Sequence, residues 1–239
     1  MPDYKALEKQ FQQVLNLTRR PIAVAILNES RAPDSAIEKF SGAEPAGCSF
    51  WRLAAEGRTF STAPADHYNC PIGSYTHNIP LPENRAEELP AILETMTSLG
   101  YLKMEEVPGI PVLPKTPGAI VYAPLGDTPL DPDVVLFVTT PGKLMLLEEA
   151  GLRAGVASKL PLLARPTCMA VPSAMANGMV ASGGCIGNRV YTNIGEEELY
   201  AAIPGRALER VAQELATIAA ANLTLAQYHR ERQQRLSTE

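Results

Sequence analysis

Three short runs constrain the fold of this chain more than any other feature: Ile22-Ala23-Val24-Ala25-Ile26-Leu27, Ala119-Ile120-Val121-Tyr122-Ala123 and Val134-Val135-Leu136-Phe137-Val138. Each is continuously apolar and rich in β-branched or aromatic residues, the pattern of a strand covered on both faces. A sheet buried on two sides needs helices to cover it, and helical periodicity is abundant. Tyr4, Leu7, Phe11, Val14 and Leu15 mark a helix over residues 3–17, ended by Arg19-Arg20-Pro21. Leu89, Ile92, Leu93, Met96 and Leu99 mark another over 83–99, with Pro90 resetting its first turns and Gly100 capping it. Thr140-Pro141 opens a third that runs to Gly151, with a hydroxyl at the N-cap and proline at the first helical position. Leu208, Val211, Leu215, Ile218, Leu223 and Leu225 mark a long C-terminal helix, read as broken near Asn222. The fold class is α/β (or α+β), a mixed sheet flanked by helices. Residues 1–239 read as one domain, and a proline-rich connector at 107–117, unsuited to helix or central strand, separates two candidate pseudo-duplicated halves.

The formal net charge is -5, with no cluster of Lys and Arg interleaved with aromatics, which argues against a nucleic-acid partner. Met1-Pro2-Asp3-Tyr4-Lys5 lacks the layout of a signal peptide and no apolar run is long enough for a membrane span, so a cytoplasmic location with no membrane partner is expected. In a reducing compartment, the 4 cysteines are better suited to ligation or reactivity than to disulfides.

Those cysteines form two similar half-sites. Cys48 begins a short helix that carries the single tryptophan, Trp51, and stops at Gly57, and it is followed by the turn Asn69-Cys70-Pro71-Ile72-Gly73. Cys168 begins a second short helix with Pro172 in its first turn. It is followed by a strand at Met179-Val180-Ala181 and by Ser182-Gly183-Gly184-Cys185-Ile186-Gly187-Asn188-Arg189, with Arg189 to Thr192 read as extended chain. Glycine removes the Cβ that would keep a ligand or a neighbouring backbone away.

This pattern supports three readings. In the first, Cys48, Cys70, Cys168 and Cys185 ligate an iron–sulfur cluster, a [4Fe–4S] cluster before zinc, because no Cys-x-x-Cys pair of the kind zinc sites favour is present. Gly73, Gly184, Gly187 and Arg189 then surround the cofactor, and the protein has a redox or sulfur-handling role. In the second, Cys48 or Cys168 is a nucleophile activated by a helix N-terminus, Cys70 and Cys185 are resolving thiols, and His67 and His77 are candidate bases. In the third, the thiols are small buried hydrophobes of a cofactor-free binding or scaffold protein. Arg189 either binds an anionic ligand or pairs with Glu196-Glu197-Glu198, and Tyr75 and Asn188 are candidate lining residues. A small-molecule or redox partner and a homo-oligomer are expected; the reaction class stays open.

Cys48 heading Phe50-Trp51-Arg52-Leu53-Ala54-Ala55-Glu56-Gly57, then Asn69-Cys70-Pro71-Ile72-Gly73, Cys168 with its small-residue helix, and Gly184-Cys185-Ile186-Gly187-Asn188-Arg189 ahead of Glu198-Leu199 and Ile203-Pro204-Gly205 carry a further signal. With these features the chain resembles the archaeal cysteine-rich family, domain of unknown function 169, from the first strand to the C-terminal helix. The resemblance implies that the four cysteines act together, and it implies no particular activity.

Overall fold

The computed structural model describes residues 2–28, 36–156 and 159–237. Helix α1 (Tyr4–Leu15) starts where the Asp3 carboxylate accepts the Ala6 N–H at 3.0 Å, and it ends at Asn16, which takes a left-handed conformation with φ 46°. Strand β1 (Ile22–Leu27) follows. Residues 29–35 of the polar connection after it lie outside the described residues. Then come α2 (Gly47–Ala55), β2 (Phe60–Thr62), α3 (Pro71–Thr76) and α4 (Glu88–Ser98). Residues 83–99 are not one helix: a 3-10 turn at Glu83–Arg85 precedes α4, and Pro90 sits in the first turn of α4, where a missing N–H costs nothing. Beyond a further 3-10 turn, Met104–Gly109, which takes in the first residues of the proline-rich connector, lie β3 (Ala119–Pro124), β4 (Val134–Thr139) and α5 (Pro141–Arg153). The remaining elements are β5 (Leu162–Leu163), α6 (Ala170–Asn177), β6 (Val180–Ser182), α7 (Ile186–Thr192), β7 (Leu199–Pro204) and α8 (Leu208–Leu236).

The strands form one seven-stranded sheet in the order β2-β3-β1-β4-β7-β6-β5. Only the β5–β6 pair is parallel; the other neighbours are antiparallel. The three apolar runs are the adjacent strands β3, β1 and β4, and the alternation of their side chains separates two cores. Ile22, Val24, Ile120, Tyr122, Leu136 and Val138 face α2 and α6, packing on Phe50, Trp51, Val171 and Ala174. Ala23, Val135, Phe137, Ala201 and Ile203 face α1, α5 and α8, packing on Phe11, Leu147, Leu208 and Val211. The α/β reading therefore holds, and it holds because both faces of these strands are covered. A buried side chain such as Phe137, whose ring lies 4.8 Å from that of Phe11, contributes about 1.5–3 kcal/mol.

Two further expectations about elements fail. Arg189 to Thr192 is helix, not extended chain, because Cys185 caps α7, the Arg189 N–H reaches the Cys185 carbonyl at 3.0 Å, and the Thr192 hydroxyl donates to the Asn188 carbonyl at 2.8 Å. Nor is α8 broken at Asn222, whose amide donates to the Ile218 carbonyl at 3.1 Å within a continuous helix. Among the described residues, no helix is long and apolar enough to cross a membrane.

Candidate functional site

The α2–α6 face of the sheet gathers four chain segments that each start a helix with a cysteine in or beside the first turn. Cys48 is the second residue of α2, whose Phe50 and Trp51 are fully buried and fix the helix on the sheet. Cys70 is the N-cap of α3, with Pro71 next, and the Gly73 N–H donates to its sulfur at 3.2 Å. A side chain at Gly73 would bring a Cβ within 3.1 Å of that sulfur, so the close approach depends on glycine. Cys168 lies in the 3-10 turn Thr167–Met169 that leads into α6. Cys185 is the N-cap of α7, reached through Gly184 at φ +80°, and its N–H donates to the Thr167 hydroxyl, which ties the Cys185 turn to the Cys168 turn.

All four cysteines open on one cavity of about 310 Å³. Its other walls are mainly apolar: Ala46 and Ile72 at the starts of α2 and α3, Ile92, Leu93 and Met96 of α4, Leu102 and Ile110 beyond it, and Ile186 of α7. Gly73, Gly187 and Asn188 also line it, whereas Gly184 and Tyr75 stand outside the lining. Arg165 is the one charged side chain among the described wall residues.

Cys48 and Cys168 are buried; Cys70 and Cys185 are half-buried. Burial pushes the Cys48 thiol up to about 12, against a lowering contact from the Asn188 amide, and the neighbouring sulfurs of Cys70 and Cys185 add to the rise. Burial also raises Cys168 well above the ordinary thiol range, with the charges of the other three cysteines adding to it and a contact to Thr76 opposing it. Cys70 is raised by burial, opposed by the N–H groups of Gly73, Gly47 and Ile72 around its sulfur. At neutral pH these three thiols are protonated, so this wall of the cavity carries no negative charge.

The two histidines beside Cys70 in sequence do not line the cavity; they lie buried with stacked rings 5.7 Å apart. The Thr62 hydroxyl donates to the Ile120 carbonyl at 3.2 Å, so His67 Nε2, at 2.9 Å, donates to that hydroxyl. His77 Nδ1 donates to the Gly73 carbonyl at 2.9 Å. Each imidazole is a fixed neutral tautomer holding backbone or β2 in place, and burial lowers both, His67 to about 3. Arg189 is likewise occupied. Its guanidinium donates to the Gly195 carbonyl at 2.8 Å, the Glu198 carbonyl at 3.0 Å and the Gly183 carbonyl, so it braces the glycine turn through carbonyls and pairs with none of the Glu196–Glu198 carboxylates.

A model of the uncharacterised ArCR family, domain of unknown function 169, matches residues 10–214. The chain belongs to this family. No curated protein and no solved structure matches it significantly. The family supplies no activity, so chemistry rests on the site. There the iron–sulfur reading is corrected: among the described residues, no three His, Cys, Asp or Glu side chains are arranged so that they could hold a metal ion. The four cysteines line one cavity from four different elements without forming such a group. The metal-binding and redox roles that went with that reading lose their support. Nothing in the structure supports Cys48 or Cys168 as an activated nucleophile, since both are buried and burial raises both thiols. Reading the sequence missed Arg165 and the α4 wall. Arg165 stands three residues before Cys168, but its place beside the other half-site depends on long-range packing.

Proposed function

We propose that this protein binds a small, largely apolar organic molecule in the four-cysteine cavity, with Cys70 and Cys185 as the thiols the ligand meets. The observation that carries this reading is that one mainly apolar cavity of about 310 Å³ receives all four of the chain's cysteines. That volume lies at the lower end of small-molecule sites, about 300–1,000 Å³. The thiols of Cys48, Cys70 and Cys168, which burial raises, suit it, because a protonated cysteine behaves as a small polarisable hydrophobe.

Titration with the neutral fluorophore N-phenyl-1-naphthylamine tests the reading. Saturable binding at one site per chain is expected, and Ile92→Trp, which fills the cavity from α4, should abolish it. In parallel, iodoacetamide should modify Cys70 and Cys185 before Cys48 and Cys168, and bound fluorophore should slow the first pair. Binding unaffected by Ile92→Trp, or alkylation of Cys70 and Cys185 indifferent to the fluorophore, would sink the proposal.

A further inference from the structure

Arg165 is placed unlike any other residue of the cavity. Among the described residues it is the only charged side chain on the walls, and it stands where the cavity meets a shallower groove lined by Leu163, Met169 and Ile110. Its guanidinium lies over the Tyr101 ring at 4.7 Å, which holds its plane. One terminal nitrogen donates to Glu106 at 3.3 Å, and this is its one hydrogen bond to the described residues. The Nε–H is buried with no partner. A guanidinium carries five N–H donors, and only one of them is engaged by the described residues.

We infer that Arg165 anchors the anionic head of the cavity's ligand, which makes the ligand a small apolar carboxylic acid. The inference rests on the binding role proposed above and specifies its ligand class. A planar carboxylate matches the fork of a guanidinium and accepts from its terminal N–H groups. One cation already shared with Glu106 suits a monoanion better than a doubly charged phosphate. The apolar walls receive the rest of the molecule.

The test compares 4-phenylbutanoate with its amide, 4-phenylbutanamide, by calorimetry on the full chain. The acid should bind the wild-type protein more tightly than the amide. Arg165→Met should weaken the acid ~10- to 100-fold, the range for losing hydrogen bonds to a charged group, and leave the amide within about twofold by the same reasoning. Glu106→Gln removes the competing carboxylate and should tighten the acid alone, which keeps the inference testable if Arg165→Met folds poorly. Equal affinity of acid and amide for the wild type, or no response of the acid to either variant, overturns the anchor while leaving the cavity as a binding site. Failure of both compounds, together with failure of the neutral fluorophore, overturns the cavity reading and the anchor with it.

Discussion

His67 and His77 show how a residue's type can mislead about its task. Their nearness to Cys70 in sequence suggests bases, but each is fully enclosed and hydrogen-bonded in one tautomer. Because burial depresses their basicity, with His67 at about 3, the folded protein binds fewer protons than the unfolded chain below the ordinary histidine value of 6.5. The contribution to stability is complete above pH 6.5 and declines as pH falls through that value towards about 3. The slope approaches about 1.4 kcal/mol per pH unit for each histidine. Urea midpoints measured from pH 7 to pH 4.5 should therefore fall, and His67→Gln, which keeps an N–H for the Thr62 hydroxyl, should reduce the steepness. Identical slopes for the two proteins would remove His67 from this role. The cysteines were legible as a set because a rare residue beside glycine turns leaves few structural explanations. What they surround was not legible, because it depends on what packs over each helix start.

At the scale of elements, strands with two covered faces were readable from their own composition, whereas β7 and α7 were not. Leu199 to Pro204 is a six-residue apolar run of the same kind, diluted by Ala201 and Ala202, and its place between β4 and β6 comes from pairing partners far away in sequence. Val190-Tyr191-Thr192 has strand propensity, but the helical bond from the Arg189 N–H to the Cys185 carbonyl and the buried Asn188, whose amide reaches the Tyr200 hydroxyl at 3.3 Å, override it. The junction from β7 to α8 yields a sharp prediction. Gly205 packs so closely on the loop before β4 that an added Cβ would sit 1.7 Å from the Pro132 carbonyl oxygen, while the Gly205 N–H donates to the Asp133 carbonyl at 2.9 Å. Gly205→Ala must move backbone and should destabilise by about 3 kcal/mol, the upper range for overpacking. Gly109→Ala, where nothing lies within 4 Å, serves as the control and should change the urea midpoint little. Equal midpoints for the two variants would contradict the packing at this junction.

For the molecule as a whole, the buried part of α8 ends early: Leu208, Val211, Ala212 and Leu215 enter the core, while Leu223, Leu225, Tyr228 and Leu236 are exposed. Deleting residues 227–239 should therefore leave both the thermal midpoint and fluorophore binding unchanged. A large drop in midpoint, or a change in the mass measured by light scattering beyond that of the deleted residues, would mean that this stretch is covered in an assembly. Taken alone, the sequence determined the α/β class, the three central strands, most helices, the family and the four cysteines as the centre of interest, because periodicity, capping residues and rare side chains are local properties. Tertiary structure decided what those cysteines surround. It brought Cys48, Cys70, Cys168 and Cys185 to one cavity with Arg165 and α4, left them as wall residues without a metal-holding arrangement among the described residues, and withdrew His67, His77 and Arg189 into structural roles. These outcomes depend on which helix starts the strand order places on the same face of the sheet, and on how much water each side chain then loses, neither of which is a property of any short stretch of chain.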